Sequence, residues 1–462
     1  MPLLRITFFI ATLCQMSVLA LASVASAGPM KGPLKFPSGP EGAGRFGAYH
    51  TELRYGSDWD KAWRVGPRAD VVVVFDRFDA RLIFWRGTNY VPCWVNNNRK
   101  WYTDGSVARE NGDVRGDKLC RYSHVTVVEN TDARVVIHWK YAPVDASGAL
   151  LHTDPMTNWN DWVDEFYTIY PDGVGVRRMK LFSSVWDQPV LLQESTVINE
   201  PGTAPQDNVS LSAVTLANLS GESRTFSWEA SWPSALSAPA DANIQIVNLA
   251  GKDGMEPFQA VFPASVKITP IPKAEGSAKL NMDSAWPLEG TTDPAYDRPS
   301  RTGISRMSWA PCGEQWQRKS WMMMVGLTRG GPAEVATVAR SWIKAPALSV
   351  ESGLYGSLGY NAGDRAYELV CNNPGKPAPL KITLAGSETS PVCNPALAIK
   401  GWGKAGASLG MDGVSVNRGP GFRYGYRKTP GAGDLIVWVE KQSTRPVTLE
   451  IEPLPAGKDG VQ

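Results

Sequence analysis

From Asp70 onward the chain is built of short runs rich in apolar residues: DVVVVFDRF, ARLIFWRG, HVTVVEN, RVVIHWKY, FYTIYPDG, VGVRRMKLF, NVSLSAVTLANL and RTFSWEAS. Most span five to nine residues, favour β-branched and aromatic side chains, and end at Gly, Pro, Asn or Asp. Side chains on a strand alternate between two faces, so these runs predict strands joined by hairpins. One segment, GPAEVATVARSWI, has helical spacing, but Gly331, Pro332 and its β-branched residues argue against a helix. The pattern predicts an all-β chain.

The 44 glycines and 35 prolines are spread throughout, so no linker divides the chain. The tract Lys273–Ser300, poor in strand signals, predicts an inserted loop. Successive hairpins over this length suit a seven-bladed β-propeller, at roughly 60 residues per blade, with tandem β-sandwiches as the alternative.

Two hairpins carry the most chemistry. In RYSHVTVVENTDARVVIHWKY, Arg121–Tyr141, the turn decides whether His124 and His138 share a face. A three-residue loop at Asn130–Asp132 pairs Glu129 with Ala133 and sets the two histidines opposite each other; a four-residue loop pairs Glu129 with Arg134 and sends them to opposite faces. In DEFYTIYPDGVGVRRMKL, Asp164–Leu181, the turn Pro171-Asp172-Gly173 sets Tyr170 opposite Val174, Thr168 opposite Val176 and Phe166 opposite Arg178. It also predicts Tyr167 opposite Gly175 and Glu165 opposite Arg177. Tyr170 and Arg178 then share one face, while Tyr167 and Arg177 share the other with Glu165 to neutralise Arg177.

Charge narrows the partners. The 462 residues carry a formal net charge of +2 with 20% charged residues and no long like-charge run, so no nucleic-acid footprint is present. The N-terminal MPLLRITFFIATLCQMSVLALASVASAGPM, with one early cation, an apolar run and Ala25 and Ala27 before Gly28, reads as a secretory signal at 1–27. Residues 28–462 then form one exported catalytic domain, secreted or periplasmic, with no membrane span after signal removal. Beyond Cys14, export makes Cys93, Cys120, Cys312, Cys371 and Cys393 disulfide candidates. Cys93 with Cys120 and Cys371 with Cys393 are closest in sequence, but spacing alone does not fix connectivity.

His, Tyr and Arg together suit β-elimination from a uronic acid. A guanidinium neutralises the carboxylate and so acidifies the C5 proton, a His or ionised Tyr removes it, and a Tyr or His protonates the departing glycosidic oxygen. The blocks RFDARLIFWRGTNYVPCWVNNNRKWYTDG, CRYSHVTVVENTDARVVIHWKYAPVD and DWVDEFYTIYPDGVGVRR resemble the seven-bladed propeller polysaccharide lyases typified by ulvan lyases and rhamnose–glucuronate lyases, over about Asp76–Asn208. That resemblance implies His124 and His138 as the catalytic histidines and Arg178 or Arg177 as the carboxylate neutraliser. Tyr170 is the provisional tyrosine.

The tryptophans, 18 in all, also offer sugar-stacking surfaces, although those in apolar runs, such as Trp139 and Trp438, read as core. Trp94, Trp101 and Tyr102, in a segment mixing aromatics with amides and cations, are candidate walls of a substrate cleft, with Arg86, Asn89, Tyr167 and Arg177 as further contacts. The expected partner is an acidic polysaccharide or oligosaccharide. A hydrolase would instead need two carboxylates flanking the bond, for which Asp161, Asp164 and Glu165 are available. No cofactor is required. His50 and His152 lack matched carboxylate spacing for a metal site, and a structural calcium held by loop oxygens leaves no sequence signature. Met322–Met324 read as packing in an apolar strand.

Overall fold

The computed structural model describes residues 35–37, 45–56, 60, 66–108, 112–113, 117, 119–145, 147–185, 191–228, 238–271 and 299–455. The signal expected at 1–27, with Cys14, and all but the last two residues of the expected inserted loop lie outside them.

The alternating runs form two large antiparallel sheets. Sheet I has nine strands, in the order Gly47–Thr51, Asp70–Val74, Arg81–Phe84, Cys93–Val95, Trp101–Ala108, Leu191–Asn199, Ser300–Ser308 and Lys267–Pro270, with Gly112–Asp113 beside Trp101–Ala108. Sheet II has ten. Its site-bearing half consists of β1 (Ser123–Asn130), β2 (Val135–Tyr141), β3 (Trp162–Ile169), β4 (Val174–Phe182) and β5 (Arg318–Thr328), in spatial order β5-β4-β3-β2-β1. The strands Glu256–Ala260, Ile244–Leu249, Val209–Ala217 and Ser223–Phe226 continue the sheet beyond β5, and Gly313–Gln315 pairs with β5.

The sheets share one core. Val71, Val73, Leu82, Phe84 and Trp94 of sheet I pack with Val135, Ile137, Trp139, Tyr141, Val163 and Met323 of sheet II. Each such side chain contributes about 1.5–3 kcal/mol by leaving water. At one corner the two sheet edges are joined by a side chain: Asn130 accepts the Ala48 N–H through Oδ1 and donates Nδ2–H to the Ala48 carbonyl, both at 2.9 Å.

Residues 331–343 form a helix, α1, contrary to the expectation. Pro332 lies in its first turn, where its missing N–H costs nothing. Glu334 reaches back to accept the Gly330 N–H at 2.7 Å. Val335, Ala336, Ala339 and Trp342 then pack on Val174, Val176, Phe258 and Met324 on the outer face of sheet II. Tertiary burial outweighs the weak propensity of the β-branched positions.

The C-terminal strands form two five-stranded sheets around a second core that includes Leu369, Ile382, Leu397, Ile399, Val437 and Leu449. Among the described residues the protein is all-β apart from α1 and short helical turns, and its two large cores each lie between two sheets, as in the tandem-sandwich alternative. The expected propeller is not confirmed: among the described residues the strands fall into sheets of nine, ten, five, five and two, because the hairpins extend long shared sheets and do not form separate four-stranded blades. Asp172, in the turn between β3 and β4, joins the two sandwiches: its carboxylate takes Arg365 at 2.7 Å and Asn394 Nδ2 at 2.9 Å.

Candidate functional site

The register of the first hairpin differs from both expectations. Asn130 pairs with Val135 across a four-residue turn, which alone would place the histidines on opposite faces. A bulge then intervenes between Val127 and Glu129, and from there His124 pairs with Lys140 and Thr126 with His138. One extra residue restores both histidines to the outer face of sheet II.

The second hairpin completes that face. His138 stands opposite Phe166, which stands opposite Arg178; Lys140 stands opposite Asp164, which stands opposite Lys180. These are two cross-strand rows, about 7 Å apart along the strands. Gly173, at φ +75°, makes the turn as expected, and the Tyr170 N–H donates to the Val174 carbonyl at 3.2 Å. Tyr167 pairs with Arg177 instead of Gly175, and Glu165 with Met179 instead of Arg177, because consecutive residues must alternate faces in step with the pairs beside them.

His138 is the most organised group on this face. Its Nε2 lies 2.7 Å from Asp164 Oδ1, and its ring stacks on Phe166 with centroids 4.4 Å apart and planes within 5°. A carboxylate acceptor assigns the proton to Nε2 and leaves the Nδ1 lone pair to accept another. Arg178 covers the Phe166 ring at 5.5 Å and pairs with Asp364 at 3.1 Å. The loop bearing Asp364 comes this close because a Cβ at Gly363 would fall 2.7 Å from Arg178 Cδ. Lys140 lies 5.3 Å above the Trp162 ring, and Arg318 lies 5.1 Å above Phe182. His124 and Lys180 are exposed. Lys140, Arg178, Lys180 and Arg318 thus face outward around Asp164 and Asp364, four cations to two carboxylates among these described residues, which makes this stretch of surface cationic.

Other expected site residues lie elsewhere. Arg177 is 1% exposed on the inner face, gripped by Glu165 at 2.7 and 2.8 Å. Tyr167 and Tyr141 donate to the same Glu165 carboxylate at 2.6 and 2.9 Å. Tyr170 is fully buried, donates its hydroxyl to the Asp364 carbonyl at 2.5 Å, and is pushed up to about 12 by burial, so it is enclosed and already bonded instead of open to a substrate beside His138. Arg86 is buried in a 2.5 Å pair with Asp70, and Asn89 is buried in a left-handed conformation ending a helical turn. Trp94 and Tyr102 face the shared core and Trp101 packs on the far side of sheet I, so these three do not form one cleft wall. The hydrolase carboxylates also separate: Asp164 is outside, Glu165 inside, and Asp161 binds His152 at 2.7 Å. Among the described residues no three His, Cys, Asp or Glu side chains gather as a metal site. Cys93, Cys120, Cys312, Cys371 and Cys393 are all free thiols, so neither expected disulfide is present. Cys93, for example, sits in a sheet I strand and turns its Sγ to the Val91 carbonyl.

No family model and no curated protein matches this chain. The site therefore rests on its own geometry. Sequence reasoning found His124, His138 and Arg178 but not Lys140, Phe166 or Lys180. Their signal was present in the alternation of VVIHWKY, WVDEFYTI and VRRMKLF, where every second residue turns outward.

A buried polar cluster lies between the sheets. Asp104 accepts from Gln259 Nε2 at 2.7 and 2.8 Å, from Ser195 Oγ at 3.2 Å and from the Tyr102 hydroxyl. Burial raises its carboxyl to about 6 against the pull of Tyr102 and Arg177. Its partners are protein groups, so it organises the core.

Proposed function

We propose that the protein is an exported polysaccharide lyase that cleaves a uronate-containing polysaccharide by β-elimination on the outer face of sheet II. The observation that carries this reading is the His138–Asp164 pair at the centre of a cationic surface, in line with Arg178 and beside Lys140 and Lys180. The sequence resemblance to propeller polysaccharide lyases supports the chemistry while the fold differs.

In this reading Lys180, Lys140 and Arg178 offset the uronate carboxylate and lower the cost of charge developing at C5. Asp164 holds the His138 ring by its Nε2–H, and Nδ1 takes the C5 proton. The electron pair left at C5 forms the C4–C5 double bond as the C4–O bond breaks. His124, one row away on the same face, protonates the leaving oxygen. Tyr170 takes no part.

The test offers the protein a panel of uronate-containing polysaccharides and follows the ultraviolet absorbance of the unsaturated product. We expect a rise that His138→Ala reduces by about 100-fold or more and that Tyr170→Phe leaves largely intact. A flat trace on every substrate overturns the lyase reading; reducing-end release without unsaturated ends then identifies a hydrolase.

A further inference from the structure

We infer that a cleft on the outer face of sheet I is a second saccharide site, specific for an acidic sugar unit and separate from the proposed reaction centre. The cleft has a volume of about 440 Å³ and is lined by Arg81, Arg99, Asn96, Asp79 and Glu200 around Trp101 and Phe36. That volume is in the range of small-molecule sites. It lies on the opposite side of the first sandwich from His138, since Trp101, Val95 and Ile83 belong to the outer layer of sheet I.

Its cations are available. Arg81, beside Val95 in the register, has a 3.7 Å contact with Asp79 as its one ion pair among the described residues. Arg99 is exposed, its backbone N–H donates to the Asn96 carbonyl at 2.8 Å, and its side chain makes no hydrogen bond or ion pair among the described residues. It is also held in an unusual conformation, φ +58°, by a turn with extensive side-chain support. Asn96 Oδ1 accepts the N–H groups of Asn98 and Lys100, both at 3.0 Å. Asn96, Asn97 and Asn98 donate to the carbonyls of Met255, Asp253 and Lys252 at 3.1, 3.1 and 3.2 Å. The three consecutive asparagines thus clamp the turn to a neighbouring loop and fix Arg99 at the cleft. These amides serve the backbone, and the arginine they present is the ligand-facing group.

The chemistry favours a uronate over a bare oxyanion. Two guanidiniums suit one carboxylate. Glu200 already takes Lys35, a third cation of the cleft, at 3.1 Å and the Phe36 N–H at 2.8 Å; the carboxylates of Asp79 and Glu200 keep lone pairs for sugar hydroxyls, and Trp101, Phe36 and Val95 supply an apolar floor that a bare oxyanion would not use. A polysaccharide held here would be retained on a surface remote from His138, raising its effective concentration there.

The test is calorimetric titration with sodium glucuronate, with glucose as the neutral control, on the parent protein, Arg81→Gln/Arg99→Gln and Arg178→Gln. Circular dichroism checks that each variant is folded, and Arg99→Gln alone, altering an exposed side chain, carries the test if the double variant is not. We expect glucuronate to bind the parent more tightly than glucose does, the cleft variants to lose about tenfold or more in affinity, and Arg178→Gln, which alters the proposed reaction centre, to keep the component of binding that the cleft variants lose. Absence of binding to the parent, equal binding of glucose, unchanged affinity in the cleft variants, or loss in Arg178→Gln alone would overturn the inference. None of these outcomes depends on turnover, so failure here is distinct from failure of the lyase reading.

Discussion

Arg177 and Arg178 are neighbours in sequence with opposite circumstances. Arg177 is fully enclosed, with Glu165 and Gln193 as side-chain partners, whereas about a third of the Arg178 side chain (35%) is exposed. Removing one member of a buried ion pair leaves the other unpaired, so Arg177→Met should destabilise the protein by about 3–5 kcal/mol in urea unfolding. Arg178→Met should cost less than about 1 kcal/mol, its pair being partly screened by water. This contrast was legible in the sequence, because alternation sends consecutive residues to opposite faces and Glu165 was available to Arg177. The fate of Tyr170 was not legible. Its hydroxyl is committed to a carbonyl nearly two hundred residues away, and no local pattern encodes that partner.

At the scale of elements, strands were readable and their registers less so. The bulge at Val128 adds one residue inside an uninterrupted run of good strand formers, and nothing in VTVVEN marks it. The helix α1 was missed for the complementary reason: its apolar stripe is stabilised by a sheet that the segment itself does not reveal. The strands Ile244–Leu249 and Glu256–Ala260 illustrate an element closed by a titratable group. Glu256 accepts the Leu249 N–H at 2.6 Å, and burial raises its carboxyl from 4.5 to about 7. The folded state therefore holds this proton more tightly than the unfolded chain, so the stability it contributes is full below 4.5 and is lost as pH rises through about 7. Glu256→Gln removes that dependence while keeping an acceptor. Urea unfolding should show the parent losing more stability than the variant across this range, by on the order of 1–3 kcal/mol.

At the scale of the whole molecule, two large apolar cores meet through a small apolar cluster, in which Ala133 and Tyr170 pack with Ala366, Ala398, Ile436 and Trp438, and through charged contacts around it. Besides Asp172 with Arg365, the junction includes Arg423 with Asp76 at 2.9 Å and Arg77 with Glu440 at 2.5 Å. It is also close-fitting: a Cβ at Gly425 would fall 2.4 Å from the Thr131 side chain, at the tip of the histidine hairpin. A small mixed junction of this kind couples units less strongly than one large shared core does. Asp172→Ala, which leaves the Arg365 guanidinium buried without its carboxylate, should split a single calorimetric melting transition into two. A variant that still melts in one step would show that the remaining contacts suffice. The tandem arrangement itself was visible in the sequence only as an alternative, because hairpins that build a blade and hairpins that extend a broad sheet share the same alternation.

The amide of Asn130 has a consequence for how this molecule meets its own copies. The outermost strand of a sheet offers unsatisfied peptide groups on which another extended chain can dock, which is how soluble β-proteins begin to polymerise. Where Asn130 and Ala48 exchange hydrogen bonds, the side chain imitates a peptide unit and each border occupies the other. At that corner the protein acts as its own chain terminator.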